Sequence, residues 1–210
     1  MWEVPSRHGH NVAADIDPGN GRAAEWHSAP GTATMEPKWE ECAMQVTLER
    51  WGPDDLDVLR RANTPGMTRF LGGPESDEAL AQRHADYLAL WDSGEVRMFR
   101  VDVDGAAAGY AGWWAEEHDG APVYEIGCVV EPGWQGRGVA SAALGEVVRR
   151  ALGTEDLRPV VGYANVENVA SNALCNRLGF TLVGTAAFPD EDGEAVMPVN
   201  VWMIQPSGVA

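Results

Sequence analysis

The sequence predicts one mixed α/β domain, a mixed sheet with helices on both faces. Three observations predict it. Apolar periodicity sets out elements in the order β-α-α-β-β-β-α-β-α-β-β, so paired strands are interleaved with helices that cross over the sheet. Asp104-Gly105 separates two strand-like runs, and His118-Asp119-Gly120 marks a second turn before another. A glycine-rich loop, Gly136 to Gly138, leads from an apolar strand directly into a long helical pattern.

Each element has a local reason. Residues 1 to about 43 are rich in Gly, Pro, Ala, Ser, Asn and Thr without an apolar period, which predicts a flexible leader. Met35 and Met44 are both credible starts for the domain, which is placed at residues 44–207. Gln45–Trp51 alternates as a strand, and Pro53-Asp54-Asp55 opens a short helix with acids at its positive end. Ser76 caps a helix running to about Asp92, with Leu80, Tyr87, Leu88 and Trp91 on one face. Strands follow at Val96–Val103, Ala106–Trp114 and Val123–Val130, the last stopped by Pro132. Gly136 to Leu152 is helical, with Val139, Ala143, Val147 and Ala151 in one row and Gly153 as its stop. Val160–Ala164 is a short buried strand, and Asn168 to Leu178 a compact helix ended by Gly179. Strands at Phe180–Val183 and Val199–Ile204 flank the acidic turn Pro189–Glu194.

Composition narrows the functional classes. The 210 residues suit one domain with a sizeable core. No apolar run approaches the roughly 18 residues of a membrane span. Met1 to Pro30 has no apolar stretch of the secretory kind, so a cytoplasmic protein is expected. Cys42, Cys128 and Cys175 are odd in number and far apart, and His84 and His118 have no partner at ligand spacing, so no metal is expected. A net charge of −17 repels phosphate backbones and argues against nucleic acid. It serves solubility, and it also favours cationic acceptors such as polyamines or basic peptides.

The segment Tyr124-Glu-Ile-Gly-Cys-Val-Val-Glu-Pro-Gly-Trp-Gln-Gly-Arg-Gly-Val-Ala-Ser141 carries the most chemistry. Gly136 and Gly138 let backbone N–H groups turn toward one point, and the helix behind adds roughly half a positive charge at its N-terminus. Together they make a nest for phosphate. A P-loop needs a Gly-Lys-Ser/Thr that is missing here. A dinucleotide fingerprint is approached, but Ser141 replaces the third glycine, and Glu155 and Asp156 precede the next strand instead of closing it.

Gln135-Gly-Arg-Gly-Val-Ala140 resembles the Gln/Arg-x-x-Gly-x-Gly/Ala signature of GNAT acetyltransferases. Asn168-Val-Ala-Ser-Asn-Ala-Leu-Cys-Asn-Arg-Leu-Gly-Phe180 resembles the second motif of that family. Leu48-Glu-Arg-Trp-Gly-Pro-Asp-Asp-Leu56 and Phe70-Leu-Gly-Gly73 are similar to the start of its ribosomal-protein alanine acetyltransferase branch. The resemblance implies a mixed, mostly antiparallel sheet whose one parallel strand pair splays apart at the CoA site. It implies acetyl-CoA as cosubstrate, no metal, and an amine acceptor, either a protein N-terminus or a small molecule. By the same resemblance Gln135, Gly136, Arg137, Gly138, Val139, Ala140 and Ser141 would hold the pyrophosphate. Backbone groups of Cys128, Val129 and Val130 would take the pantetheine arm and polarise the thioester carbonyl. Asn168 and Ser171 would stand beside the pantetheine, Asn168 being also a natural helix cap. A homodimer through the last strands is expected on family grounds alone.

Transfer to an amine needs an uncharged nucleophile, and an amine of pKa about 8 to 10.4 is mostly protonated at neutral pH. Glu125 is the candidate base, because it lies on the central strand where several relatives carry a glutamate; a solvated or ion-paired carboxylate is the competing reading. Many relatives protonate the leaving thiolate from a tyrosine four residues before the Gly-Phe glycine. Cys175 stands there in this chain, so Ser171, Cys175, water and the outgoing ammonium stay open as donors. Of Trp113 and Trp114, one is expected in the core and one at a pocket edge, because adjacent strand residues face opposite ways. Glu116, Glu117 and Asp119 are expected in a loop nearby. Two other functions remain: an acyl-CoA-binding sensor or scaffold with the same fold and no turnover, and a transferase for another acyl donor such as succinyl-CoA.

Overall fold

The computed structural model describes residues 12–13, 44–189 and 196–206. The expected leader therefore lies outside the described residues except for Val12 and Ala13, as does most of the Pro189–Glu194 turn. The strands are β1 (Val12–Ala13), β2 (Val46–Arg50), β3 (Val96–Val103), β4 (Ala106–His118), β5 (Ala121–Val130), β6 (Val160–Asn165), β7 (Thr181–Pro189) and β8 (Val196–Ile204). The helices are α1 (Leu56–Ala62), α2 (Pro65–Thr68), α3 (Asp77–Ala89), α4 (Val139–Leu152) and α5 (Val169–Arg177). The expected order holds with two insertions, β1 and α2, each too short to leave a period in the sequence.

Seven strands lie in the order β2-β3-β4-β5-β6-β8-β7, and β1 pairs with β5 off that path. Among the described residues only β5–β6 and β1–β5 pair in parallel. The antiparallel majority starts from two tight hairpins. Val103 pairs with Ala106 around Asp104-Gly105, and His118 with Ala121 around Asp119-Gly120. All four turn residues have positive φ, between 51° and 80°, the backbone of a type I′ turn. The second turn carries the ladder to its end, so β4 continues to His118 instead of stopping at Trp114. Glu116 and Glu117 are consequently strand residues paired with Val123 and Pro122, a correction to the loop expected for them.

Two cores fill the two faces. On one, α4 presses Val139, Ala143, Leu144, Val147 and Ala151 against Phe99, Val101, Ile126, Cys128 and Val130. The i, i+4 row read from the sequence is the buried one. On the other face, α1 and α3 cover the sheet with Val58, Leu59, Leu80 and Tyr87 around Trp51, Met98, Tyr110 and Val129. Trp51 meets Tyr87 and Tyr110 edge-on and donates from its indole Nε1 to His84 Nδ1 at 3.0 Å, so this buried indole is satisfied. Other boundaries also differ from expectation. Helix α4 starts at Val139, because Gly136 and Gly138 hold positive φ of 69° and 84° and cannot be helical. Helix α3 stops at Ala89, with Leu90 as its C-cap. Strands β7 and β8 run further toward their shared turn, paired from Thr181↔Met203 to Pro189↔Val196. A metal-binding cluster is absent among the described residues, and none of their helices is long and apolar enough to cross a membrane.

Candidate active site

Strands β5 and β6 meet through only two residue pairs, Tyr124↔Val160 and Glu125↔Val161. Past Glu125, β5 follows β4 while β6 follows β8, and the two diverge. One edge of β5 from Cys128 to Val130 therefore turns its backbone donors and acceptors into a cleft. An edge of this kind pairs with whatever extended chain enters it. Within this protein the entrant is β1, with Val12 opposite Cys128 and Ala13 opposite Val129.

The cleft leads to the glycine loop. Gln135 does not extend into solvent: its Nε2 donates to Val130 O at 2.8 Å and ties the loop to the end of β5. Gly138 is the N-cap of α4, no side chain caps the helix, and the first-turn N–H groups stay available. A Cβ at Gly136 or Gly138 would meet nothing within 4 Å, so the loop surrounds open space. Arg137 lies over the Trp134 ring at 4.9 Å, and Ser141 Oγ accepts from Arg177 Nη1 at 3.1 Å, which places two cations beside the helix start. Val139 is buried and anchors the helix from beneath, leaving its backbone to face the loop. These residues fit a pyrophosphate: exposed N–H groups, a helix N-terminus, two guanidinium groups and no bulk in the way.

Helix α5 closes the other side of the cleft. Asn168 Oδ1 accepts from Ser171 N at 3.1 Å, a helix cap made by the side chain expected to make it. The Ser171 hydroxyl is fully buried and has no hydrogen-bond partner among the described residues. Asn172 ties this helix to the sheet, donating to Asn165 O and Asn168 O and accepting from Asn200 Nδ2 and Trp202 Nε1. Burial pushes the Cys175 thiol up to about 12, and the Cys128 thiol likewise. A thiol held so high keeps its proton more tightly than an ordinary thiol of pKa about 8.5.

Glu125 is buried, and strand register settles where it points. It is paired with Trp114 across β4 and with Val161 across β6, so all three share the face covered by α1 and α3. Trp113 faces the opposite core, edge-on to Tyr124 and beside Phe99, whereas Trp114 lines a small cleft with Leu71, Tyr87, Tyr110, Gly127 and Val129. The adjacent tryptophans divide as strand parity requires. Beside this cleft the side chains of Arg83 and Glu75 form a largely buried ion pair next to the hydroxyls of Tyr87 and Tyr110. Burial pushes both tyrosine hydroxyls up.

Sequence reasoning missed that ion pair and a second pair at this site. Tyr163, two residues beyond Val161 on β6, lies on the Glu125 face, and its hydroxyl is 2.9 Å from His118 Nδ1 at the end of β4. Burial first, then the charges of Glu125, Glu116 and Asp119, push the Tyr163 hydroxyl upward. The only local signal was a tyrosine at the parity of Val161 in a strand of small apolar residues.

Comparison with known proteins agrees with this geometry. Residues 45–181 match the family model described as an acetyltransferase (GNAT) domain. The mycothiol acetyltransferase of Mycolicibacterium gilvum is 30% identical over 158 residues, which are 71% of this chain and 48% of that protein; the chain spans about half the length of this curated relative. An acetyltransferase from Agrobacterium tumefaciens superposes with a TM-score of 0.61 at 24% identity, over 88% of this chain and 99% of that one. The ribosomal-protein acetyltransferase RimL, in complex with coenzyme A, gives 0.61 at 19% identity over 78% and 96%. The yncA protein of Salmonella typhimurium, with its cofactor acetyl-CoA, gives 0.62 at 20% identity over 79% and 96%.

Proposed function

Because this chain belongs to the GNAT acetyltransferase family, we propose that it transfers an acetyl group from acetyl-CoA to a primary amine by direct attack of the amine on the thioester. The observation that carries this reading is the parting of β5 from β6 immediately before a glycine loop and an uncapped helix. The pyrophosphate lies on the N–H groups of Gly136 to Val139 beside Arg137. The pantetheine runs antiparallel or parallel to β5 as an added strand, and a backbone N–H at Cys128–Val130 donates to the thioester oxygen as it gains charge. Such a donor contributes about 3 to 4 kcal/mol to the transition state.

Glu125 takes a proton from the acceptor ammonium. The uncharged nitrogen attacks the carbonyl carbon, the C–S bond breaks, and the second nitrogen proton passes to the thiolate. Ser171 Oγ, buried and in need of a partner, donates a hydrogen bond to that sulfur. Cys175 is unsuited to the same task, since its raised thiol would give up a proton uphill. Acidic Glu116 and Glu125 beside aromatic Trp114 and Tyr163 suit a cationic acceptor.

Calorimetry with acetyl-CoA, followed by thiol detection of CoA released in the presence of a panel of primary amines, tests the reading. Saturable binding and amine-dependent CoA release are expected. Tight binding without release for every amine makes the protein an acyl-CoA sensor instead, and absence of binding removes the proposal altogether.

The transferase unit is residues 44–207. A chain beginning at Met44 is expected to bind acetyl-CoA no more weakly than the full chain, because Cys128 and Val129 no longer have to part from Val12 and Ala13. Side-by-side titrations of the two forms check this, and weaker binding by the shorter form would place the leader inside the functional unit.

A further inference from the structure

We propose that Tyr163 and His118 form the route by which the proton taken up by Glu125 leaves for solvent; this rests on the acetyl-transfer reading. Acetylation of an ammonium releases one proton per turnover, and a buried carboxylate that accepts it must discharge before the next acceptor arrives. Glu125 is 6% exposed, on the central strand, beside Trp114. It needs a conductor.

The geometry supplies one. Tyr163 stands on the Glu125 face of β6, two residues beyond Val161, the register partner of Glu125, a diagonal position within reach of long side chains. Phe188 of β7 packs edge-on against its ring at 5.0 Å and fixes it. The hydroxyl reaches His118 Nδ1 at 2.9 Å, and the other imidazole nitrogen, Nε2, lies 3.6 Å from Asp119 Oδ2. A carboxylate at Nε2 favours the tautomer with its proton there, which leaves Nδ1 as an acceptor for the tyrosine O–H. The His118 side chain is 19% exposed and the Asp119 side chain 92%, so the far end opens to water. The charged groups around the pair are Glu116 and Asp119 from β4 and its turn and Glu125 from β5, all acidic.

The step balances. The protonated Glu125 carboxyl loses its O–H bond and gives the proton to Tyr163 Oη, while the original Oη–H bond breaks and the proton forms an Nδ1–H bond on His118. The imidazolium then gives its Nε2 proton to water. The neutral ring, left protonated on Nδ1, re-forms the Nε2–H tautomer by losing that proton and regaining one from water at Nε2, with no net change in proton count. The tyrosine is never a free phenolate, which suits a hydroxyl whose ionisation is strongly disfavoured. Nothing is oxidised or reduced, and one proton moves from the acceptor nitrogen to solvent.

His118→Asn decides between conduction and support. The asparagine Oδ1 occupies the region of Nδ1 and still accepts from Tyr163, but it cannot carry the proton. With acetyl-CoA and the best amine found for the wild type, kcat is expected to fall by about 10- to 100-fold in His118→Asn and in Tyr163→Phe. The acetyl-CoA Kd should stay within about twofold, and the double variant should be no slower than either single one, as expected for two parts of one conductor. A wild-type rate in His118→Asn would overturn the relay while leaving acetyl transfer intact. Failure of the wild-type protein to release CoA with any amine would overturn both. Independently of turnover, ¹⁵N NMR of the neutral His118 ring should find Nδ1 unprotonated, and an Nδ1–H tautomer would overturn the relay.

Discussion

Replacing Gly138 by tryptophan should abolish measurable acetyl-CoA binding while leaving the fold in place. Gly138 has φ 84°, caps α4 and is surrounded by open space. An indole there projects into the volume where the phosphates would sit and covers the first-turn N–H groups. Each charge-assisted hydrogen bond is worth about 1.5 to 3 kcal/mol, so losing two weakens binding by about 10²- to 10⁴-fold. The left-handed backbone adds a local strain of about 1 to 2 kcal/mol, a cost the large two-sided core can absorb. Gly133→Trp is the control. Gly133 lies in the same exposed segment with open space around it and no positive φ, but before the loop that faces the helix start. Calorimetry should find binding intact in Gly133→Trp and lost in Gly138→Trp, with near-native circular dichroism in both. Equal binding by the two variants would place the cofactor elsewhere.

Glu125→Gln is expected to lower kcat by about 10²- to 10⁴-fold, the range a positioned base contributes. The amide keeps the size of the side chain and its place beside Trp114 and Val161, so acetyl-CoA affinity should not change. Raising the pH should restore part of the lost rate, since more of the acceptor amine is then uncharged without help. A rate within about threefold of wild type would show that acceptor deprotonation does not pass through this carboxylate.

What could be read from the chain follows the range of the forces involved. The two I′ hairpins, the Asn168 and Ser76 caps and the buried row of α4 rest on interactions within a few residues, and each is where its residues place it. The start of α4 was misplaced for an equally local reason: glycine permits helical and left-handed backbone alike, and only the folded loop decides. The Tyr163–His118 contact spans 45 positions and depends on the register of three strands. No pattern within either segment encodes it. The division of Trp113 and Trp114 was readable, but which of them faced the cleft needed the position of α4. The Arg83–Glu75 pair beside Tyr87 and Tyr110 was invisible for a third reason: an arginine on a helix and a glutamate just ahead of it ordinarily mark the solvated side.

The two-pair seam between β5 and β6 bears on how the molecule comes apart. Hydrogen-bond continuity across the sheet narrows there to Tyr124↔Val160 and Glu125↔Val161, with β2 to β5 and the added β1 on one side and β6, β8 and β7 on the other. The blocks are then the natural units of partial unfolding, and amide exchange would distinguish them. A ligand lying along β5 and against α5 touches both, so it acts as a rivet across the weakest line. At a hundredfold excess over its Kd it adds about 2.7 kcal/mol to the stability of the whole. Cellular acetyl-CoA would in this way set the lifetime of the protein as well as its rate.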